Sequence, residues 1–395
     1  MTEQRPSVPA GSLAGFDFLP RQRLVFGAGT AARVGELAKE LGATRVLLVT
    51  DPGIVAAGHA ARVETSLKEA GLSVAVFDQV RENPSTADVA RCLKVAQEAR
   101  IDFIVGLGGG SSMDTAKGTN FLLTNGGEMK DYWGVGKATK PMLPMIAIPT
   151  TSGTGSECQS AALIADEATH QKMACLDPKT IAKVALLDPD LTESLPRGVA
   201  ACTGTDAIAH AVETAVSRKR TPLSRMFSRE AFRLCADRLP EILVRGASAE
   251  ARGEMLLGAA FAGTAIENSM LGAAHAAANP LTAHYGIVHG QAVGLMLPHV
   301  VRFNGEEPGC EEAYAELLAA LRLGLDADKS AAEQLAGLLE RLLREAGLNA
   351  RLRDLGLPES APASLALEAS QQWTATFNPR PADPKDFQRL YQAAW

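Results

Sequence analysis

Residues 102–117 read DFIVGLGGGSSMDTAK. An apolar run ends in three glycines (Gly108–Gly110), two serines follow, and helical spacing then resumes. That order is a buried strand, a tight turn and a helix start. Glycine lets a ligand come close to the backbone, and a helix N-terminus offers free amides and a favourable dipole to an anion. No GK[ST] follows, which excludes a Walker A loop and argues against an NTPase. From this stretch alone, an ordinary glycine-rich turn with Ser111 as helix cap reads equally well.

The alternation extends to both sides. Runs rich in Val, Ile and Leu recur at 45–51 (RVLLVTD), 73–80 (SVAVFDQV), 145–150 (MIAIPT) and 184–189 (VALLDP). Segments 31–42, 59–71, 87–100 and 112–124 show helical spacing. Strands without polar alternation, separated by helices, predict a parallel sheet covered on both faces. The N-terminal domain is therefore read as α/β, Rossmann-like and doubly wound. After Pro189 the strand pattern stops. Helical stretches at 223–239, 250–277 and 330–346 predict an all-α C-terminal domain. The expected division is a flexible tail at 1–19, an α/β domain at 20–192 and a helical domain at 193–395. DPDLTESLP (188–196) forms the junction, and an active site is expected in the cleft between the domains.

Two further loops bear on ligand binding. Gly27-x-Gly29-x-x-Ala32, with Asp51 about 20 residues on, matches the Ala variant of the dinucleotide fingerprint, but small residues suit any tight turn into a helix. PTTSGTGSE (149–157) follows a strand and offers hydroxyls and amides, or is a surface turn. The composition excludes other classes. An apolar fraction of 46% and a charged fraction of 21% describe an ordinary globular chain. A net charge of −6 without a basic cluster argues against nucleic-acid and anionic-membrane surfaces. No stretch reaches the roughly 20 apolar residues of a bilayer span. MTEQRPSVPAGSLAG has no apolar core, so a secretory signal is not expected. Six cysteines without a CxxC pair suit free thiols and a cytoplasmic protein.

Histidines suggest a metal. TGTDAIAHAVE (203–213) puts Asp206 and His210 four apart on one helix face, a spacing that suits two metal ligands or an i,i+4 hydrogen bond. HAAANPLTAHYGIVHG (275–290) holds three of the seven histidines. Pro280 should end a helix at or before Asn279, leaving His275 in its last turn. His289 stands near the next helix start, and His284 falls mid-loop. His299 is expected to pack or cap, and His59 and His170 to lie exposed. One carboxylate and three imidazoles would make an open Lewis-acid site, not a closed structural one.

Together GGGSSMDTAK (108–117), IPTTSGTGSE (148–157), DP–L–LP (188–196), GTDAIAHAVE (204–213), the His275 to His289-Gly290 spacing and FNPRP (377–381) resemble the iron-containing (group III) alcohol dehydrogenases. The resemblance runs from about residue 20 to 395. It implies the dehydroquinate synthase-like fold of that family, with NAD held by the α/β domain and the metal by the helical one. It marks Asp206, His210, His275 and His289 as metal ligands. Gly109, Gly110 and Ser111 match the pyrophosphate loop. Asp51 matches the residue at the adenosine ribose, where a carboxylate favours NAD over NADP. Thr150, Thr151, Thr154, Asn83, Lys172 and Leu191 match cofactor-lining positions, and Asp114 a position near the nicotinamide. The Gly27–Ala32 turn becomes a decoy.

The implied metal is Fe²⁺, although three nitrogens and one oxygen suit Zn²⁺ as well. The implied reaction is reversible hydride transfer between a primary or secondary alcohol and NAD, in a cytoplasmic homo-oligomer, a dimer. One departure stands out: Asn279 occupies a position where the family commonly has a second His, and Asn cannot shuttle a proton near neutral pH. His284 is a candidate substitute. Two alternatives stay open: a lyase resembling dehydroquinate synthase, and a non-catalytic protein retaining the fold. The region around the histidines is poor in the Lys and Arg that the lyase's acidic substrate would need.

Overall fold

The computed structural model describes residues 15–169, 171–324, 326–349 and 351–395; most of the expected tail, and His170, lie outside them. The first half runs β1 (Arg23–Phe26), α1 (Val34–Glu40), β2 (Arg45–Val49), α2 (Pro52–Ala56), α3 (His59–Glu69), β3 (Ser73–Phe77), α4 (Thr86–Glu98), β4 (Phe103–Gly108) and α5 (Gly110–Asn125). It continues with β5 (Gly134–Val135), β6 (Met145–Pro149), β7 (Ala161–Ala165), β8 (Lys172–Leu176) and β9 (Val184–Leu187). Six strands form one parallel sheet in the order β1-β9-β6-β4-β2-β3.

Period-two side-chain alternation divides the sheet's residues between two cores. Val46 and Leu48 of β2, with Phe103, Val105 and Leu107 of β4, pack under α1 and α3. Leu47 and Val49, with Ile104 and Ala147, pack under α4 and α5. Both faces are covered, which is why these strands read as unbroken apolar runs. The chain winds outward from β2 to β3 and then returns to β4 on the other side of β2. The carboxyl ends of β2 and β4 therefore border a topological switch point, where ligands of open α/β sheets bind.

The second half is helical: α6 (Arg197–Val216), α7 (Pro222–Ile242), α8 (Ala249–Ser269), α9 (Ala273–Tyr285), α10 (His289–Asn304), α11 (Cys310–Ala320), α12 (Ala331–Glu345), α13 (Ala361–Gln371) and α14 (Pro384–Ala394). The expected fold class is observed throughout. From Gly204 to Val216 every residue of α6 is buried, so this helix is the axis around which α7, α8 and α10 pack.

Several sequence expectations need correction. The strand β1 and the small sheet β5-β8-β7 were not anticipated; β7 and β8 pair antiparallel. The expected helix 250–277 is two helices, broken where Met270 takes a φ of 78° and Gly272 caps α9. Pro280 does not end a helix. It lies inside α9, so His275 stands in the first turn and His284 in the last. Burial overrides the local preference: Ala273, Ala274, Ala276, Ala277 and Ala278 are all 0% exposed, and the tertiary packing holds the helix through the missing amide. His59 is buried, its Nε2 2.9 Å from Ser194 Oγ.

Between the halves the backbones nearly touch. A Cβ on Gly263 of α8 would lie 2.3 Å from the Gly155 carbonyl oxygen, and one on Gly153 would lie 2.4 Å from Thr203 Cβ of α6. Ala185 and Leu187 of β9 pack on Leu256 and Ala260 of α8 beside this contact. Gly263→Ala is expected to destabilise the protein by about 1–3 kcal/mol through overpacking. A melting temperature equal to the parent's would show that the contact has slack.

Candidate metal centre and cofactor cleft

Three loops at adjacent strand ends build the cleft. Asp51 follows β2 and caps α2, its Oδ1 accepting from the Ile54 amide at 3.1 Å; its Oδ2 lies 3.3 Å from Ser112 Oγ. Gly108, at a φ of 142°, has no room for a side chain, because a Cβ would meet Ser112 Oγ at 2.5 Å. Gly109 caps α5, and the amides of Gly110 and Ser111 have no acceptor among the described residues. The missing side chains of Gly109 and Gly110 admit Thr151 and Thr154, whose Cγ2 atoms would lie 3.3 and 2.9 Å from added Cβ atoms. Asn83, at a φ of 52°, donates its amide to Ser111 Oγ at 3.2 Å. Thr150 is buried and its amide donates to the Gly108 carbonyl.

Other expected residues lie differently. The Leu191 side chain belongs to the sheet core at 1% exposure. Lys172 is exposed at the start of β8, where its charge acts on both Asp114 and His289. Asp114 is buried and accepts from Ser156 Oγ at 3.1 Å. Burial pushes its carboxyl up to about 6, against the nearby ammonium groups of Lys117 and Lys172. Lys117 is itself fully buried, donating to Ser156 Oγ and to the carbonyls of Ser156, Gln159 and Ala161. The decoy turn is filled by the protein's own carboxylate: Asp188 accepts from the amides of Gly29 (3.0 Å) and Ala31 (2.9 Å).

Across the cleft, three helices bring the four expected ligands together. Asp206 Oδ1 lies 3.4 Å from His210 Nε2, 3.3 Å from His275 Nε2 and 3.9 Å from His289 Nε2. Close helix packing makes this possible: a Cβ on Gly290 would sit 2.0 Å from the Cys202 carbonyl oxygen, and one on Gly294 2.2 Å from Thr205 Cγ2. Asp206, His210 and His275 are buried, and His289 is partly open to the cleft. Burial opposes ionisation of Asp206, but the imidazoles, His210 foremost, hold its carboxyl well below the usual range. Burial pushes His210 down to about 4 and His289 to about 3. His275 departs the other way. Burial opposes its charge, yet Glu213 and Asp206 raise it to about 9.

The donor set fits a divalent cation. Among the described residues Asp206 Oδ1 and His275 Nε2 are buried without a hydrogen-bond partner, although they face each other. With metal–ligand bonds of about 2.1 Å, a tetrahedral shell has edges of about 3.4 Å, close to these separations. The uncommitted amides at the N-terminus of α5 likewise fit an anionic cofactor group.

Comparison with known proteins agrees with this arrangement. Residues 20–189 match the family described as iron-containing alcohol dehydrogenase, and residues 200–395 match the C-terminal part of the Fe-containing alcohol dehydrogenase family. The chain belongs to the iron-containing alcohol dehydrogenases. It is 35% identical over 371 residues to the NAD-dependent methanol dehydrogenase of Bacillus methanolicus, covering 94% of this chain and 97% of that one. The solved structure of a 1,3-propanediol oxidoreductase superposes with a TM-score of 0.92 at 32% identity, covering 97% of this chain and all of the other. Sulfoacetaldehyde reductase from Bifidobacterium kashiwanohense, solved with NAD⁺, gives a TM-score of 0.86 at 27% identity over 96% of this chain and 99% of its own. The protein is thus a metal-dependent alcohol dehydrogenase, an oxidoreductase of the iron- and NAD-using kind. The lyase alternative is set aside.

Sequence reasoning missed what orients this family member's imidazoles. Glu213 Oε2 accepts from His275 Nδ1 at 2.5 Å, and Oε1 accepts from the Ala274 amide at 2.7 Å. That bond fixes the ring's tautomer and leaves the Nε2 lone pair aimed at Asp206. The signal was present, because 206, 210 and 213 repeat at i, i+4 and i+7 on one helix face. His284 pairs with Glu368 at 2.6 Å, two and a half turns beyond His275, and does not replace the family's second histidine. Asn279 Nδ2 donates to Gln372 Oε1 at 3.0 Å. Glu213→Gln is expected to weaken metal binding about 10–100-fold, while His284→Ala leaves it unchanged. Loss of metal from the His284 variant alone, read by metal analysis after dialysis, would reverse this assignment.

Proposed function

We propose that Asp206, His210, His275 and His289 hold the catalytic Fe²⁺, with Zn²⁺ an alternative occupant, and that NAD lies across the carboxyl ends of β2, β4 and β6. The observation that carries this reading is the pair of orphaned buried atoms, Asp206 Oδ1 and His275 Nε2, facing each other 3.3 Å apart. When bound, the ion supplies a Lewis acid for the substrate oxygen and NAD supplies the hydride acceptor. The substrate is a small primary or secondary alcohol, or the corresponding aldehyde or ketone.

The chain's own residues do the positioning. The Gly110 and Ser111 amides bind the pyrophosphate, aided by Gly109 and the Thr150, Thr151 and Thr154 loop. Asp51 accepts from the adenosine ribose, leaving NADP disfavoured. Asn83 and Lys172 line the cofactor, with Leu191 supporting it from the sheet core. Asp114 acts at the nicotinamide end as a group positioned by Ser156 and Lys117. The close approach of Gly153 and Gly155 to α6 and α8 seats the threonine loop against the helical domain. We place the domain junction at 188–196, with domains at 20–192 and 193–395.

A cytoplasmic location is supported by six free cysteines. No helix among the described residues is long and apolar enough to cross a membrane. A homodimer is supported by the open edge of the sheet, where Phe16, Phe18, Leu19, Leu24 and Phe26 are all exposed at or beside β1.

The reaction is tested by an NAD-linked screen of alcohols and aldehydes on protein reloaded separately with Fe²⁺ and Zn²⁺. NADH formation from at least one small alcohol is expected, and no turnover with either metal would overturn the reading. Asp51→Ala should narrow the preference for NAD over NADP by about tenfold, the scale of one hydrogen bond and a lost repulsion. An unchanged ratio of kcat/KM values would remove Asp51 from the ribose site.

A further inference from the structure

The FNPRP turn (377–381) belongs to the sequence resemblance but has no cofactor or metal role assigned to it, and its structural position gives it a task. Asn378 is 1% exposed, and its carboxamide is fully hydrogen-bonded. Its Oδ1 accepts from the Ala273 amide (3.1 Å) and from Asn304 Nδ2 (3.1 Å). Its Nδ2 donates to Asn304 Oδ1 and to the Arg380 carbonyl, both at 2.7 Å. Ala273 opens α9 two residues before His275, and Asn304 closes α10, the helix that His289 opens. One buried side chain therefore ties together the two helices that carry these imidazoles.

The neighbouring contacts act in the same sense. Arg380 Nη1 donates to the Phe303 carbonyl at 2.8 Å, and its guanidinium lies 4.0 Å from the centre of the Phe303 ring, fixing the last turn of α10. Tyr391 donates its hydroxyl to the Ala277 carbonyl at 2.6 Å, in the stretch where Pro280 interrupts the α9 ladder. The start of α9 is gripped from both sides. A Cβ on Gly272 would lie 2.9 Å from Asn378 Oδ1 and 3.0 Å from Glu213 Oε1. The first two amides of the helix are divided between these two residues: Ala273 donates to Asn378 and Ala274 to Glu213. With both donors buried, no water can take over either bond.

We propose that Asn378 is a positioning residue of the metal centre. It sets where α9 begins, so that His275 Nε2 meets Asp206 while Nδ1 stays on Glu213, and Arg380 and Tyr391 complete the brace. This rests on reading Asp206, His210, His275 and His289 as the ligands. Among the described residues Asn378 hydrogen-bonds to none of them. A general core staple would lose only stability on removal, whereas a brace loses metal affinity out of proportion to stability.

The experiment compares Asn378→Ala and Tyr391→Phe with Val63→Ala, a core truncation on α3 in the other domain. Affinity for Fe²⁺ and Zn²⁺ is measured by chelator competition, at a temperature where circular dichroism shows every variant folded. Asn378→Ala is expected to bind metal about 10–100-fold more weakly, and Val63→Ala to match the parent. Equal shifts in the two would overturn the proposal. Should Asn378→Ala fail to fold, Tyr391→Phe is expected to weaken binding at least about threefold, the scale of one lost hydrogen bond, and parental affinity there overturns the brace. His275→Ala separates the two readings. If it keeps parental metal affinity, the ligand assignment fails; if it loses the metal while Asn378→Ala and Tyr391→Phe retain it, the brace alone fails.

Discussion

Two acceptors face each other in the middle of the helical domain. His275 commits its Nδ1 proton to Glu213, so its Nε2 presents a lone pair to Asp206 Oδ1 3.3 Å away. Neither atom has a hydrogen-bond partner among the described residues, and both are buried. Such a pair repels unless positive charge lies between the two atoms, and desolvating the carboxylate costs several kcal/mol more. A proton on His275 answers part of the problem, and the raised affinity of that imidazole for a proton is its signature. A divalent cation answers all of it, because it satisfies Asp206 and the three imidazoles together.

That arrangement dictates how the surrounding helices are built. Three of them must approach closely enough for side chains from α6, α9 and α10 to share one point. Bulky residues at the crossings would hold them apart. Gly290 against Cys202 and Gly294 against Thr205 remove the obstacle between α10 and α6. The alanines of α9 do the same along its length. As a result α6 is apolar or small nearly all round, and it lacks the one-sided stripe of a surface helix. Its buried ionisable side chains, Asp206, His210 and Glu213, fall on the single face that the site uses.

This explains which parts of the molecule could be read from sequence. The parallel strands were legible because burial on both faces makes them continuous apolar runs with glycine or polar ends. The β7-β8 hairpin was not, because its strands are short and form a separate small sheet. Asp206 and His210 were legible through i,i+4 spacing, and His289 through its place before Gly290. The setting of His275 was misjudged because a local rule about Pro280 was applied where tertiary packing decides. Asn378 was visible only as part of the FNPRP motif, and its contact was not, since it lies 105 residues from the amide it caps. Local chemistry was visible in the sequence; convergence was not.

The two glycine turns make the same point in the sheet. Gly27–Ala32 and Gly108–Ser111 each lead from a parallel strand into helical turns, and each exposes backbone amides where an anion would fit. They differ in what the rest of the chain delivers. Asp188, at the end of β9, reaches the first turn because β9 pairs directly with β1, and its carboxylate occupies the Gly29 and Ala31 amides. A second anion there would meet like charge at contact distance. Among the described residues no carboxylate accepts from the Gly110 and Ser111 amides, which lie at the switch point between β2 and β4. Their neighbours Thr151 and Thr154 sit on the loop whose Gly153 and Gly155 are pressed against α6 and α8. The same loop therefore joins the uncommitted amides to the helix that carries Asp206. A ligand that used both those amides and the Asp206 oxygen would have to lie across that loop.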